Sequence, residues 1–151
     1  MKQFENELNG LLVSTFNSIL KFEDMSLRAM SNMLITMSEA HALEAAGTLG
    51  ENATVTEIAV KLGVTLPTAT VAIKKLERKG LVVKKQCSED GRRTIISLTE
   101  AGARANRAHT LFHRRMVRDI SGGFSDNEKQ VLLESIQKLS KFFEEKVGAG
   151  V

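Results

Sequence analysis

The chain has 151 residues, a length that normally forms one domain and that argues against an enzyme with separate cofactor and substrate domains. Hydrophobic residues at 42% and charged residues at 26% are globular composition and exclude wholesale disorder. The formal net charge of +3 hides an uneven split: residues 1–50 hold three Lys/Arg against six Asp/Glu, residues 51–120 fourteen against seven, and residues 121–151 four against five. A basic middle between near-neutral ends is what a polyanion-binding segment needs, although a solvated surface has the same charge, so spacing must decide.

No apolar run approaches the roughly 18 residues of a membrane-spanning helix, and the amino terminus lacks the pattern of a signal peptide, so the expectation is a cytoplasmic protein with no membrane partner. Cys87 is the single cysteine. An internal disulfide and a multi-cysteine zinc site are therefore excluded, and any metal site must use histidine and carboxylate.

From residue 4 to 25, Leu8, Leu11, Leu12, Phe16, Ile19 and Leu20 recur at helical spacing and predict a long amphipathic helix. The Met- and Leu-rich stretch 26–35 is less regular. A second helix begins at Ser38-Glu39 and ends at Gly50, and a third, short one opens at Thr54-Val55-Thr56-Glu57, carries Ile58, Ala59 and Leu62, and stops at Gly63. After a tight turn, Pro67 suits the first turn of a fourth helix, which the pattern Val71, Ile73, Leu76 carries to Gly80. The period then changes. Leu81-Val82-Val83-Lys84-Lys85 and Thr94-Ile95-Ile96-Ser97-Leu98 are β-branched runs around a polar stretch with Asp90-Gly91, a hairpin signal. A fifth helix runs from Thr99 to about Ile120, Gly122-Gly123 breaks it, and the capping-box spacing Ser125 to Glu128 starts a sixth. The Gly-Ala-Gly tail is expected to fray.

The expected fold is mainly α with a small β-hairpin: six helices and one wing. Two short helices joined by a tight turn and followed by a hairpin with a charged tip describe a winged helix-turn-helix. The fourth helix would then enter the DNA major groove by its amino-terminal end, where Thr65, Pro67, Thr68, Ala69 and Thr70 allow close approach and threonine methyls can meet thymine. Lys74, Lys75, Arg78 and Lys79 lie further along, suited to phosphates. At the hairpin, Ser88, Asp90, Gly91, Arg92 and Arg93 form the candidate tip; the two arginines have the reach for a narrow minor groove, and Asp90 can restrain one of them. Any one basic residue is ordinarily just solvated, but their joint placement favours double-stranded DNA as partner. With no Tyr or Trp and its Phe residues mostly at apolar helical positions, the chain gives a single-strand stacking platform little support.

Asp90-Gly91-Arg92-Arg93 followed by Leu98-Thr99-Glu100-Ala101-Gly102, with Leu76-Glu77-Arg78-Lys79-Gly80-Leu81-Val82 before them, resembles the D-x-R and L-T-x-x-G signature of the MarR family of bacterial transcription regulators. The resemblance covers nearly the whole chain. It implies one MarR-type domain over residues 1–151: dimerisation helices at 4–25 and 125–147, a winged helix-turn-helix lobe at 38–98, a linking helix at 99–121, and a homodimer on a pseudo-palindromic operator. Within the family, Phe16-Asn17-Ser18-Ile19-Leu20 with Glu23, His41, Thr65-Leu66, Ser88-Glu89, and Phe112-His113 with Met116-Val117 are similar to repressors of fatty-acid-synthesis genes in Gram-positive bacteria. Pro67 departs from the glycine often found there. The subgroup implies an acyl chain on acyl carrier protein as the signal. Arg104, Arg107, Arg114, Arg115 and Arg118 suit that acidic partner, phosphates or plain solvation alike. A small apolar ligand is the family's other usual signal, and the methionines at 25, 30, 33 and 37 suit either such a guest or core filling.

His109 and His113 are four apart on the fifth helix, the spacing that offers two imidazoles to one metal. In the family's zinc-sensing subgroup a carboxylate, a histidine and such a pair form the site, and Glu23, His41, His109 and His113 occupy the corresponding places; the alternative is hydrogen bonding between helices. No cofactor is required by this reading, zinc being the candidate. Cys87 is incidental, because peroxide-sensing relatives place their cysteine near the amino terminus. A hydrolase around Glu23, His109 and His113 lacks a nucleophile elbow, a phosphate loop and an open coordination position, so no enzyme and no catalytic residue is expected. A module for an acidic protein remains the third class, for which Arg92→Ala would leave DNA affinity unchanged.

Overall fold

Threonine starts three helices in the same way. Thr36, Thr54 and Thr65 each sit in extended backbone and accept, through the side chain, the backbone N–H three residues on, from Glu39, Glu57 and Thr68. Each bond satisfies one of the four donors that a helix start leaves open, an effect of about 1 kcal/mol. In the computed structural model, which describes residues 2–30, 35–86 and 93–148, these caps open α2 (Met37–Leu49), α3 (Val55–Leu62) and α4 (Leu66–Arg78). They follow α1 (Lys2–Met30) and precede β1 (Val82–Gln86), β2 (Thr94–Leu98), α5 (Glu100–Gly122) and α6 (Asp126–Gly148). The described residues thus form six α-helices and one antiparallel hairpin, as the sequence predicts. Among the described residues no single helix is long and apolar enough to cross a membrane.

The differences are local. α1 continues as one helix through residues 26–30, where the apolar pattern loses regularity, and a short 3-10 helix, Gly50–Asn52, follows α2. The start of α2 is a full capping box built by Thr36 and Glu39, with Ser38 inside the first turn rather than at its edge. Ser125 and Glu128 bond reciprocally at the start of α6, as their spacing predicts; Ser125 donates from its N–H and hydroxyl and holds the Glu128 carboxyl below its ordinary value. The Gly-Ala-Gly tail beyond residue 148 and Met33 lie outside the described residues.

The chain divides into two compact units, residues up to Phe112 and residues from His113, with α5 passing through the division. In the first unit, Ala42, Leu43, Ala45 and Ala46 of α2 pack with Ile58 of α3, Ile73 and Leu76 of α4, and Leu81, Val82 and Ile96 of the hairpin. The alanines let three helices approach closely, while each large aliphatic side chain contributes about 1.5–3 kcal/mol of transfer free energy. Gly63 closes α3 at φ 64°, in the left-handed region that suits glycine, and α4 leaves at 113° to α3, a helix-turn-helix angle. The hairpin pairs Val82 with Leu98 and Gln86 with Thr94. It is tied to the helices where the Ile96 N–H donates to the Ala53 carbonyl at 2.7 Å.

The L-T-x-x-G segment has a direct physical cause. The Thr99 N–H donates to the Leu81 carbonyl at 3.0 Å, its hydroxyl donates to the Gly80 carbonyl at 2.7 Å and accepts the Gly102 N–H at 3.0 Å. Gly102 thereby lies against the Leu81 backbone, where a β-carbon would collide with the Leu81 carbonyl oxygen. In the second unit, α6 leaves Val131, Leu132, Leu133, Ile136, Phe142 and Phe143 exposed. α1, in the first unit, does the same with Leu11, Phe16, Ile19 and Leu20.

Candidate nucleic-acid interface

The helical repeat of α4 decides which of its side chains reach solvent. Ala69, Ile73 and Leu76 lie on one stripe and are buried to 1% exposure or less. The opposite stripe carries Pro67, Val71, Lys74, Lys75 and Arg78, all exposed. Two sequence expectations change here. Ala69 faces the core and is not available to a base edge, whereas Val71, read from the sequence as part of the apolar pattern, is 52% exposed. The spacing 69, 73, 76 is the regular helical stripe, and the small alanine hid it from a reading led by large aliphatics.

The threonines have structural partners. Thr65 caps α4, and its hydroxyl lies 2.8 Å from that of Thr68, while the Thr70 hydroxyl donates to the Leu66 carbonyl at 2.8 Å. Thr65 is therefore fixed first by the helix it starts. Lys79 also departs from the expected phosphate role. Its ammonium is bonded to Glu39, whose residue is 1% exposed, joining the last turn of α4 to the first turn of α2 across 40 positions of sequence. Burial raises the Glu39 carboxyl, but the Lys79 hydrogen bond and charge and the Thr36 N–H outweigh burial and hold it below the ordinary glutamate value. The carboxylate thus stays ionised and keeps the end of α4 pinned. Lys84 of β1, which the sequence analysis did not single out, pairs with Glu77 of α4 at 2.9 Å. Lys85 and Arg93 are exposed on the hairpin, Arg93 immediately before β2. Ser88, Asp90, Gly91 and Arg92, with Cys87, lie outside the described residues.

The histidine set is partly assembled within the first unit. Glu23 on α1 and His109 on α5 are buried, at 6% and 3% exposure, and the ring of His41 on α2 lies 5.6 Å from that of His109. Phe22 and Phe112 pack at 5.1 Å beside them, fixing α1 against α5. His109 Nδ1 is 3.5 Å from a Glu44 carboxylate oxygen, a partner that the sequence analysis missed because Glu44 belongs to no metal-spacing pattern. His113 follows His109 by four residues along α5, hence on the same side of that helix. Among the arginines set aside for an acidic partner, Arg104 pairs with Glu100 at 2.6 Å on α5. Met25 is 57% exposed and Met37 half-buried.

The helices, turn and hairpin match known proteins. The MarR family model matches residues 35–94, the segment from just before α2 to the start of β2. The chain is 31% identical to Streptococcus pneumoniae FabT in a complex with DNA, covering 93% of this chain and 98% of that one with a TM-score of 0.87. It is 26% identical over 116 residues to the transcriptional regulator ZitR of Lactococcus lactis, covering 75% of this chain and 79% of that protein. The fold is also that of S. aureus MepR in a DNA complex, at 23% identity, with 90% of this chain and 97% of that chain covered and a TM-score of 0.75. A helix-turn-helix with an outward basic stripe, a hairpin beside it and these likenesses lead to one assignment: the chain belongs to the MarR family and is a DNA-binding transcriptional regulator of winged-helix fold.

Proposed function

We propose that the chain is a homodimeric repressor that sits on a pseudo-palindromic operator, controls fatty-acid-synthesis genes and responds to acyl groups carried on acyl carrier protein. The observation that carries the DNA part is the outward stripe of α4. Pro67 and Val71 lead it and Lys74, Lys75 and Arg78 follow, so the helix presents uncharged atoms to base edges and cations to phosphates. Thr65, Thr68 and Thr70 border that stripe, and Arg93, with Ser88, Asp90, Gly91 and Arg92, forms the wing contact to the neighbouring minor groove. The exposed apolar faces of α1 and α6 support a second copy as partner, since faces of that kind are costly to leave in water. The fatty-acid assignment rests on the subgroup resemblance in the sequence, and the 31% identity with streptococcal FabT is in keeping with it. The test is a titration of the full chain into labelled promoter fragments of fatty-acid-synthesis genes, with acylated and unacylated carrier protein. Affinity that changes only with the acylated form supports the reading; indifference to both refutes it.

A second reading has its own observation: buried His109 lies beside His41, and a carboxylate, Glu23, is buried on α1. A carboxylate and neutral imidazoles are a donor set that suits zinc, and a carboxylate next to a ring nitrogen, as Glu44 is to His109, is the usual support of a ligating imidazole. Glu23, His41, His109 and His113 would hold the ion, making the regulator zinc-responsive. Metal analysis of protein purified without chelator tests it: near-stoichiometric zinc that alters DNA affinity supports this reading, and metal-free protein with unchanged affinity on adding zinc removes it.

A further inference from the structure

Three features of α4 limit how it can identify a base pair. Its threonine hydroxyls are engaged locally: Thr70 donates to the Leu66 carbonyl, and the Thr65 and Thr68 hydroxyls share a proton between them while Thr65 also accepts the Thr68 N–H at 3.4 Å. Of three hydroxyl protons, a single one is left for a base edge. Every residue of α4 before Lys74 lacks a charge or a side-chain amide; the exposed ones are Leu66, Pro67, Thr68 and Val71, of which all but Thr68 offer only hydrocarbon. Beside that stripe is a shallow depression lined by Pro67, Thr68, Val71 and Ala72 together with Ser38 and Lys75. Its lining is mostly hydrocarbon. The major-groove edge of a base pair carries hydrocarbon at one place, the 5-methyl group of thymine.

We propose that α4 selects its half-site chiefly through the 5-methyl groups of thymines, met by Pro67 and Val71 on the outward stripe and by Leu66 at the tip, with one Thr65 or Thr68 hydroxyl as the hydrogen-bonding reader. The inference rests on α4 being the helix that enters the major groove, and it names the base feature that the helix selects. Lys74, Lys75 and Arg78 then fix register on phosphates and leave the choice of sequence to the aliphatic end.

The full chain, presented with a randomised duplex library at fixed salt, should select half-sites containing thymines. Replacing each selected thymine by deoxyuridine removes only the methyl group. The expected result is a loss of about fourfold in affinity for each methyl that is contacted, the value of one buried carbon. In Val71→Ala, Pro67→Ala and Leu66→Ala, all at exposed positions and so folded, the uracil penalty at one thymine should shrink while penalties elsewhere persist. A selected duplex whose affinity is indifferent to uracil at every thymine would overturn the proposal, as would penalties that stay undiminished in all three variants. A chain that shows no sequence preference, or binds no duplex even at low salt, would refute the major-groove role of α4 itself, an outcome distinct from specific binding without methyl dependence.

Discussion

Lys79→Met tests whether the buried ion pair with Glu39 anchors α4. The substitution keeps the hydrocarbon stem of the lysine and removes its charge, leaving the Glu39 carboxylate buried with only Thr36, through its N–H at 2.8 Å and its side chain, to support it among the described residues. Breaking a fully buried pair by deleting one partner costs about 3–5 kcal/mol. The Lys79 side chain is 32% exposed while that of Glu39 is 2% exposed, so water shares the ammonium but not the carboxylate, and the expected loss falls to about 1–3 kcal/mol. Urea unfolding of wild type, Lys79→Met, Glu39→Gln and the double variant at one protein concentration gives the coupling directly. The double variant should recover part of the Lys79→Met loss, because an uncharged amide needs no counter-ion. The pH dependence has a definite sign. The folded carboxyl of Glu39 lies below its ordinary value, so its contribution is fully present above the unfolded glutamate range, near 4.3, and is lost as pH falls through the lower folded value. The gap between wild type and Lys79→Met should therefore close in acid. A gap below about 0.5 kcal/mol near neutral pH, or one that stays constant into acid, would show that the pair does not hold α4.

Three further outcomes follow from named contacts. Gly102→Ala places a β-carbon on the Leu81 carbonyl, so thermal or urea unfolding should show a loss of at least about 1–3 kcal/mol; a neutral result would mean that α5 can slide away from the hairpin. Thr65→Ala removes the cap of α4 and should cost about 1 kcal/mol of stability in addition to any loss of affinity, whereas a pure base reader would leave unfolding untouched. Ile136→Glu puts a charge on the exposed apolar face of α6 and should shift the molecule towards a monomer by sedimentation, with DNA affinity falling alongside; an unchanged dimer would remove that face from the interface.

The element order was legible because its causes are local. Thr54 before α3, Gly63 after it, Pro67 in the first turn of α4 and the switch from helical to alternating apolar pattern at Leu81 are all written within a few residues of the boundary they set, whereas the start of α2 was read at Ser38 and lies at Thr36. The candidate interface was legible only in part, for two reasons. Helical phase depends on small residues as much as large ones: Ala69 completes the buried stripe with Ile73 and Leu76, which turns Val71 outward and makes it a candidate reader rather than core. Long-range pairing leaves no mark in spacing. Lys79 looks like its basic neighbours, yet its partner Glu39 lies 40 positions earlier, in the capping box of another helix. The same carboxylate therefore accepts the N–H that starts α2 and the ammonium that ends α4. The orientation of α4 is thereby tied to α2, so a change in the packing of α2 would be expected to carry the outward stripe with it. Its aliphatic front and cationic rear would shift together, and a signal acting through α2 could alter operator affinity without touching a residue of the stripe.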